Sequence, residues 1–389
     1  MVTRRKFGGA LCSCALLAIA GRTPAQTGTR EFVAPGHRPA AESDEKGLWS
    51  LMDRVEREVR ASRFLIRETD VNEYVREVIC GLAKSHCADV RAYIVRTAQF
   101  NASMAPNGMM QIWTGLLLRC HDEAQFAAIV GHELGHYLRR HTVERWRDAR
   151  TKADFGAFLG LGLALAGMGW AGSLTQAALL ASIFAYSRDQ EREADEIGLE
   201  LITKAGYPPM AAAEVWEQLL AELKGSTAER DRSVMLASHP EPEERLATMR
   251  REAAARGGAA GDRRAERYRA KLEPLRPRLL ADELALRQYG RSEIVFEQML
   301  AAAPDDGRIW YAKGEVYRLR AEPDDGPKAL AAYQRALAAN GAPPETHRSI
   351  GLVELKAGAK DRAQAAFDAY FKAKPDAADA DALRALLSP

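Results

Sequence analysis

The sequence predicts a mainly α chain in two parts: an α+β domain whose small sheet lies beside one histidine-bearing helix, then an α-helical solenoid. Three observations carry this. His132-Glu133-Leu134-Gly135-His136 reads H-E-x-x-H within an apolar, helix-spaced stretch. Between Val90 and Trp113 the apolar residues change from helical spacing to alternation. Near the C-terminus a pattern of about 34 residues recurs. A chain of 389 residues has room for two domains. The expected division is an export signal over 1–25, a flexible lead-in over 26–45, the α+β domain over 46–256, a linker over 257–264 and the solenoid over 265–389.

In chain order, Thr3-Arg4-Arg5-Lys6-Phe7 precedes an apolar run from Gly8 to Ala20 and a small-residue exit at Thr23-Pro24-Ala25. This is the layout of a cleaved Tat- or Sec-type signal, and it implies a periplasmic protein. The run is shorter than the ~20 residues of a membrane span. Such a compartment permits a disulfide. Cys80 and Cys87 are too far apart on one continuous helix, but a break at Ala83-Lys84-Ser85 would let them close a small loop. Cys120 is left unpaired and is expected to be buried.

Leu48, Leu51, Met52, Val55 and Val59, then Val71, Tyr74, Val75, Val78 and Ile79, mark two helices. Val90–Val95 alternates as a strand does, and the segments flanking Pro106-Asn107-Gly108 read as a β-hairpin. A helix opens at Thr114, and Asp122-Glu123 begins the H-E-x-x-H helix with acids in its first turn. Residues 155–185 form a glycine-rich apolar surge. It is expected as a core helical hairpin or as a surface pair in peripheral contact with a membrane or a partner. A true span is the weakest reading, because metal ligands lie on both sides of it.

On a helix, positions i and i+4 share a face, so His132 and His136 can offer imidazoles to one ion. Glu133 points to the side, within reach of a water on that ion. Hydrolytic Zn²⁺ takes three protein ligands and keeps one position open, so a third is needed. Glu191 and Asp195, again i and i+4, lie in a charged run after the apolar surge. A carboxylate there can complete a His₂Glu site, and Asp195 can accept the second ring N–H of a ligand histidine. His141 follows His136 by five residues and is expected to face away, with a structural role. The near-balanced charge of +2 and the lack of a basic, aromatic-interleaved run give nucleic-acid binding no support.

The hairpin edge at Asn101 and Ala102 is expected to hold an extended peptide beside the metal by β-augmentation, with Arg245 as a further cleft residue. Beyond residue 265, Trp310, Gly314, Tyr317, Ala329, Tyr333 and Ala336 fit one tetratricopeptide (TPR) unit with a small insertion. Gly351, Ala363, Phe367 and Pro375 fit a second, and Phe296 and Pro304 fit the end of an earlier one. Stacked helix pairs of this kind make a concave surface for peptides or partner proteins.

Asn101-Ala102, Gly115-Leu116-Leu117, His132–His136, Arg140-His141 and Ser187–Gly198 together resemble the gluzincin metalloproteases. That family includes Ste-type prenyl proteases, Oma and HtpX membrane proteases and periplasmic BepA-like enzymes. The resemblance covers about 50–250. It implies one Zn²⁺ per chain on His132, His136 and Glu191, with Glu193 on another helix face, and Glu133 as general base. It also implies that His239, in Ser238-His239-Pro240, is a reversible fourth ligand that holds the enzyme latent. The family usually has Pro-Gly-Gly in the hairpin; here Asn107 replaces one glycine, and since Asn tolerates positive φ the turn is expected to survive. The implied function is a zinc metalloendopeptidase in quality control of outer-membrane or envelope proteins, with an envelope partner recruited by the repeats. The alternative is a TPR-based chaperone or scaffold in which proteolysis is minor.

Overall fold

The computed structural model describes residues 32–151, 186–225, 239 and 242–387. The expected export signal over 1–25 and the apolar stretch 155–185 lie outside the described residues. Elements are numbered in order along the described chain.

Helix α1, Asp44–Ala61, starts at Ser43, whose side chain accepts the Lys46 N–H. Helix α2, Thr69–Ala83, stops where Lys84 takes φ +51°, and a 3₁₀ turn over Lys84–Asp89 follows. That break brings the Cα atoms of Cys80 and Cys87 to 4.7 Å, and the two form a disulfide. Cys120 stays free and buried.

Strands β1 (Arg91–Val95), β2 (Ala102–Met104) and β3 (Met109–Trp113) form one sheet in the order β1-β3-β2. β2 and β3 are the expected hairpin, and β1 runs parallel to β3 on its other side. Gly108 carries the turn at φ +89°, where a Cβ would sit 2.0 Å from the Asp89 carbonyl oxygen. Asn107 does not use positive φ. It serves through its buried side chain instead. Its Nδ2 donates to Asp53 Oδ1 and Glu56 Oε2 at 2.8 and 3.1 Å, and its Oδ1 accepts the Met109 N–H at 3.1 Å. The hairpin is thereby pinned to α1.

The described part of the expected flexible lead-in is tied down. Val33 N donates to Leu138 O at 2.8 Å, and Gly36 N donates to Asp89 Oδ2 at 2.8 Å. One bond to a helix end and one to a buried carboxylate give this segment partners that free coil lacks.

Helices α3 (Thr114–Arg119), α4 (Glu123–Leu138), α5 (His141–Thr151), α6 (Arg188–Lys204), α7 (Met210–Lys224) and α8 (Pro242–Ala255) complete the α+β part. Every residue of α4 is buried. It has no exposed face because α2, β2, α6 and α7 surround it.

Helices α9 (Ala265–Leu272), α10 (Arg276–Ala285), α11 (Tyr289–Ala302) and α12 (Gly307–Arg320) continue from it, followed by α13 (Asp325–Ala338), α14 (Glu345–Lys356), α15 (Lys360–Ala373) and α16 (Ala380–Leu387). Tyr268, Leu279, Phe296 and Val316 belong to the same apolar core as Phe126 and Ile129 of α4. The stretch 257–264 is stitched to the α+β part by Met210 N to Gly258 O at 3.0 Å and Asp262 N to Gly206 O at 2.9 Å. Deeper in, Arg119 donates to Glu222 and Glu283, Arg291 pairs with Glu222, and Ser292 Oγ donates to Glu283. Two buried arginines thus face two buried carboxylates across α3, α7, α10 and α11. In α12–α15 one contact recurs: Gly314 lies under the Tyr333 ring and Gly351 under the Phe367 ring, each too close for a Cβ. No described helix is long and apolar enough to cross a membrane.

Candidate metal centre

Four side chains converge at the middle of α4 and the start of α6. His132, His136, Glu191 and His239 are all buried, and one donor atom from each lies within 4.8 Å of the others. Helix α6 presents Glu191 in its first turn because Ser187 and Gln190 form a reciprocal capping box there. α4 and α6 can approach because glycine lines their contact. A Cβ on Gly135 would lie 2.9 Å from Ala194 Cα, and one on Gly198 would lie 3.0 Å from the His132 backbone nitrogen.

The geometry fits a tetrahedral cation. His132 Nε2 is 3.1 Å from His136 Nε2 and 3.2 Å from His239 Nδ1. Glu191 Oε1 is 2.8 Å from His239 Nδ1 and 3.5 Å from His136 Nε2. Ligands about 2.0–2.1 Å from one Zn²⁺ stand about 3.3 Å apart at tetrahedral angles. The Nδ1–H of His132 donates to Asp195 Oδ1 at 2.8 Å, which leaves a lone pair on Nε2. Converging lone pairs repel unless a cation lies between them. Two imidazoles, a carboxylate and a third imidazole suit Zn²⁺.

The electrostatics are one-sided. Burial pushes the His132 imidazole below its ordinary value despite Asp195, and burial, with the neighbouring imidazoles and Arg245, pushes His136 much lower. Both are therefore neutral and able to ligate. Burial raises Asp195, but Arg245 and His132 outweigh it and bring the carboxyl down to about 2. Glu191 behaves alike: burial raises it, and His239 and Arg245 hold it below the ordinary range. For His239 burial works downward, yet Glu191 keeps it above its usual value.

Glu133 is buried and accepts the Met104 N–H of β2, and its Oε1 has no hydrogen-bond partner among the described residues. Burial pushes its carboxyl up to about 7. A carboxylate with a free oxygen and a proton affinity near neutrality is suited to shuttle a proton.

The sequence-predicted residues fall as follows. His132, His136, Glu191 and His239 meet, Asp195 touches His132, and Glu133 stands beside His239 Nε2 at 3.7 Å. Ala102 lies in β2, whose Met104 reaches Glu133, so the hairpin edge adjoins the site. Asn101 is buried with its Oδ1 unpartnered. Arg245 does not line an open cleft. It is buried behind the ligands, where Nε and Nη2 donate to Asp195 at 2.9 and 2.7 Å. Its Nη1 lies 2.7 Å from Glu191 Oε2 without hydrogen-bond alignment, and its guanidinium stacks over Trp216. Two carboxylates and an aromatic face around it leave its fork no other direction.

His141 does not face away. α4 ends at Leu138, and Arg140 turns the chain at φ +59°, so helical spacing no longer applies at His141. Its Nδ1 comes within 2.9 Å of His136 Nδ1, and its Nε2 within 3.1 Å of Glu193 Oε2. Sequence reasoning also passed over Tyr186, whose ring stacks on His136 at 3.7 Å and whose hydroxyl meets Thr142 at 2.9 Å. The available signal was its place just before the Ser187 cap.

Residues 65–253, which include all four converging side chains, match the model of peptidase family M48. The β-barrel assembly-enhancing protease of Escherichia coli is 27% identical over 207 residues, covering 51% of this chain and 42% of that protein. The mitochondrial metalloendopeptidase OMA1 of Schizosaccharomyces pombe is 29% identical over 169 residues, covering 42% and 48%. The OMA1 of Arabidopsis thaliana is 34% identical over 190 residues, covering 46% and 38%. The chain thus spans less than half the length of these relatives.

Proposed function

We propose that this chain, whose residues 65–253 are a peptidase family M48 domain, acts as a zinc-dependent metalloendopeptidase on envelope proteins. The observation that carries this is the buried meeting of His132, His136 and Glu191 beside an unpartnered Glu133 oxygen. A bound Zn²⁺ would polarise the scissile carbonyl and acidify water. Glu133 takes the proton of the attacking water and delivers it to the leaving amine. Asp195 and Arg245 hold His132 in the ligating tautomer. The β2 edge at Asn101 and Ala102 aligns an extended substrate beside Glu133.

His239 serves as a latch. It fills the fourth position and sets its Nε2 toward Glu133, so a substrate must displace it. The helices from 265 onward act as a tetratricopeptide-type array that recruits clients or an envelope partner. The repeated Gly314–Tyr333 and Gly351–Phe367 contacts support that reading. The Cys80–Cys87 bridge fits an oxidising compartment, here the periplasm reached by the 1–25 signal. The E. coli relative's name supplies the client class, β-barrel proteins under assembly. The filled fourth position also favours a second reading, a scaffold whose protease rests closed.

The test is cleavage of an unfolded protein such as casein by the purified chain, before and after chelation. Loss on chelation and recovery with stoichiometric Zn²⁺ supports the enzyme. Cleavage unaffected by chelation contradicts it. If zinc is bound and no cleavage follows even in His239→Ala, the scaffold reading stands.

A further inference from the structure

Each ligand histidine on α4 needs its outer ring nitrogen held, or the ring turns and the tautomer is not fixed. For His132 the holder is Asp195, one helix away. For His136 no carboxylate among the described residues touches Nδ1. What stands there is His141, 2.9 Å distant and 1% exposed.

We propose that His141 and Glu193 are positioning residues for the metal ligand His136, linked as His136–His141–Glu193. This rests on the reading of the four-residue cluster as a zinc centre. With His136 Nε2 turned to the metal, its proton sits on Nδ1 and is donated to His141 Nδ1. The His141 proton then sits on Nε2 and is donated to Glu193 Oε2 at 3.1 Å. The other Glu193 oxygen accepts from Arg139 Nε at 2.8 Å, which anchors the chain's outer end. The left-handed turn at Arg140 makes this geometry, since a continued α4 would carry His141 elsewhere. Tyr186, stacked on the His136 ring, closes the remaining direction of rotation.

The run Glu191-Arg192-Glu193-Ala194-Asp195 then has three separate tasks on one helix. Glu191 ligates, Asp195 orients His132 directly, and Glu193 orients His136 through an imidazole. Glu193 can do this from outside the ligand face of α6 because His141 spans the gap.

The test uses the full chain, stripped of metal and titrated with Zn²⁺ against a chromophoric chelator. His141→Leu removes the acceptor, and the Zn²⁺ Kd is expected to rise about 10–100-fold. Its Co²⁺ derivative is expected to show a shifted visible d–d spectrum, which a merely structural loss would not produce. His141→Asn places an amide oxygen near the Nδ1 position and is expected to recover most of the affinity. Glu193→Ala, at a partly exposed position, is expected to move Kd in the same direction by less, and it keeps the test available should His141→Leu fail to fold. Wild-type Kd and an unchanged Co²⁺ spectrum in His141→Leu and Glu193→Ala would overturn the inference. So would failure of His141→Asn to recover affinity while the apo protein unfolds at the wild-type temperature. If wild type itself binds no zinc, the metal-centre reading falls first, and that result is separate from the other two.

Discussion

Gly135 faces Ala194 with no room for a side chain between them: a Cβ at 135 would lie 2.9 Å from the Ala194 Cα and 2.9 Å from its carbonyl oxygen. The two residues mark where α4 and α6 touch, and the candidate ligands His136 and Glu191 flank that point. Gly135→Ala is expected to push the helices apart, since the opposing atoms are backbone and cannot rotate away. The expected cost is about 1–3 kcal/mol of stability, with weaker zinc binding. Urea unfolding and zinc titration of the variant check this; wild-type values in both would show that the close contact does not set the ligand spacing.

Glu56 gives a pH dependence. Burial raises its carboxyl, but Arg91, Tyr93 and Asn107 outweigh this and hold it below the ordinary value of 4.5. A depressed folded value means stability that is present above 4.5 and lost as pH falls through the folded value. Glu56→Gln is therefore expected to destabilise at pH 7, with the difference from wild type shrinking below pH 4.5. Unfolding curves of both proteins from pH 7 downward measure this. A difference that grows toward low pH would contradict it.

Glu222 ties the C-terminal helices to the α+β part through Arg291, and it also pairs with Arg119 of α3. Glu222→Ala leaves the buried Arg119 with Glu283 as its carboxylate and takes from the buried Arg291 the carboxylate it pairs with. The expected loss is about 3–5 kcal/mol, read as a lower urea midpoint. A loss under about 1 kcal/mol would mean that water enters and replaces the carboxylate.

What the sequence made legible was periodic or local. The five-residue span of His132–His136, the alternation in β1 and the turn at Gly108 each follow from spacing within one element. Glu191 and His239 needed a family resemblance, because nothing local says which of several acids or histidines folds back onto α4. What stayed hidden were contacts between distant elements. Arg119 reads as an ordinary helix-end cation until Glu222 and Glu283 close on it. A helical period carried past Leu138 misplaces His141, and Arg140 in the left-handed region gives no warning by residue type. Asn107 was read for its backbone, whereas its side chain ties the hairpin to α1.

If Glu133 moves the proton in a zinc-dependent hydrolysis at the site between α4 and α6, its carboxylate is needed for cleavage and not for metal binding. The most direct measurement is the zinc content and casein cleavage of Glu133→Gln beside wild type. One zinc per chain is expected in both proteins, with cleavage by the variant slower by about 10²-fold or more. A zinc-loaded Glu133→Gln that cleaves at the wild-type rate would contradict it.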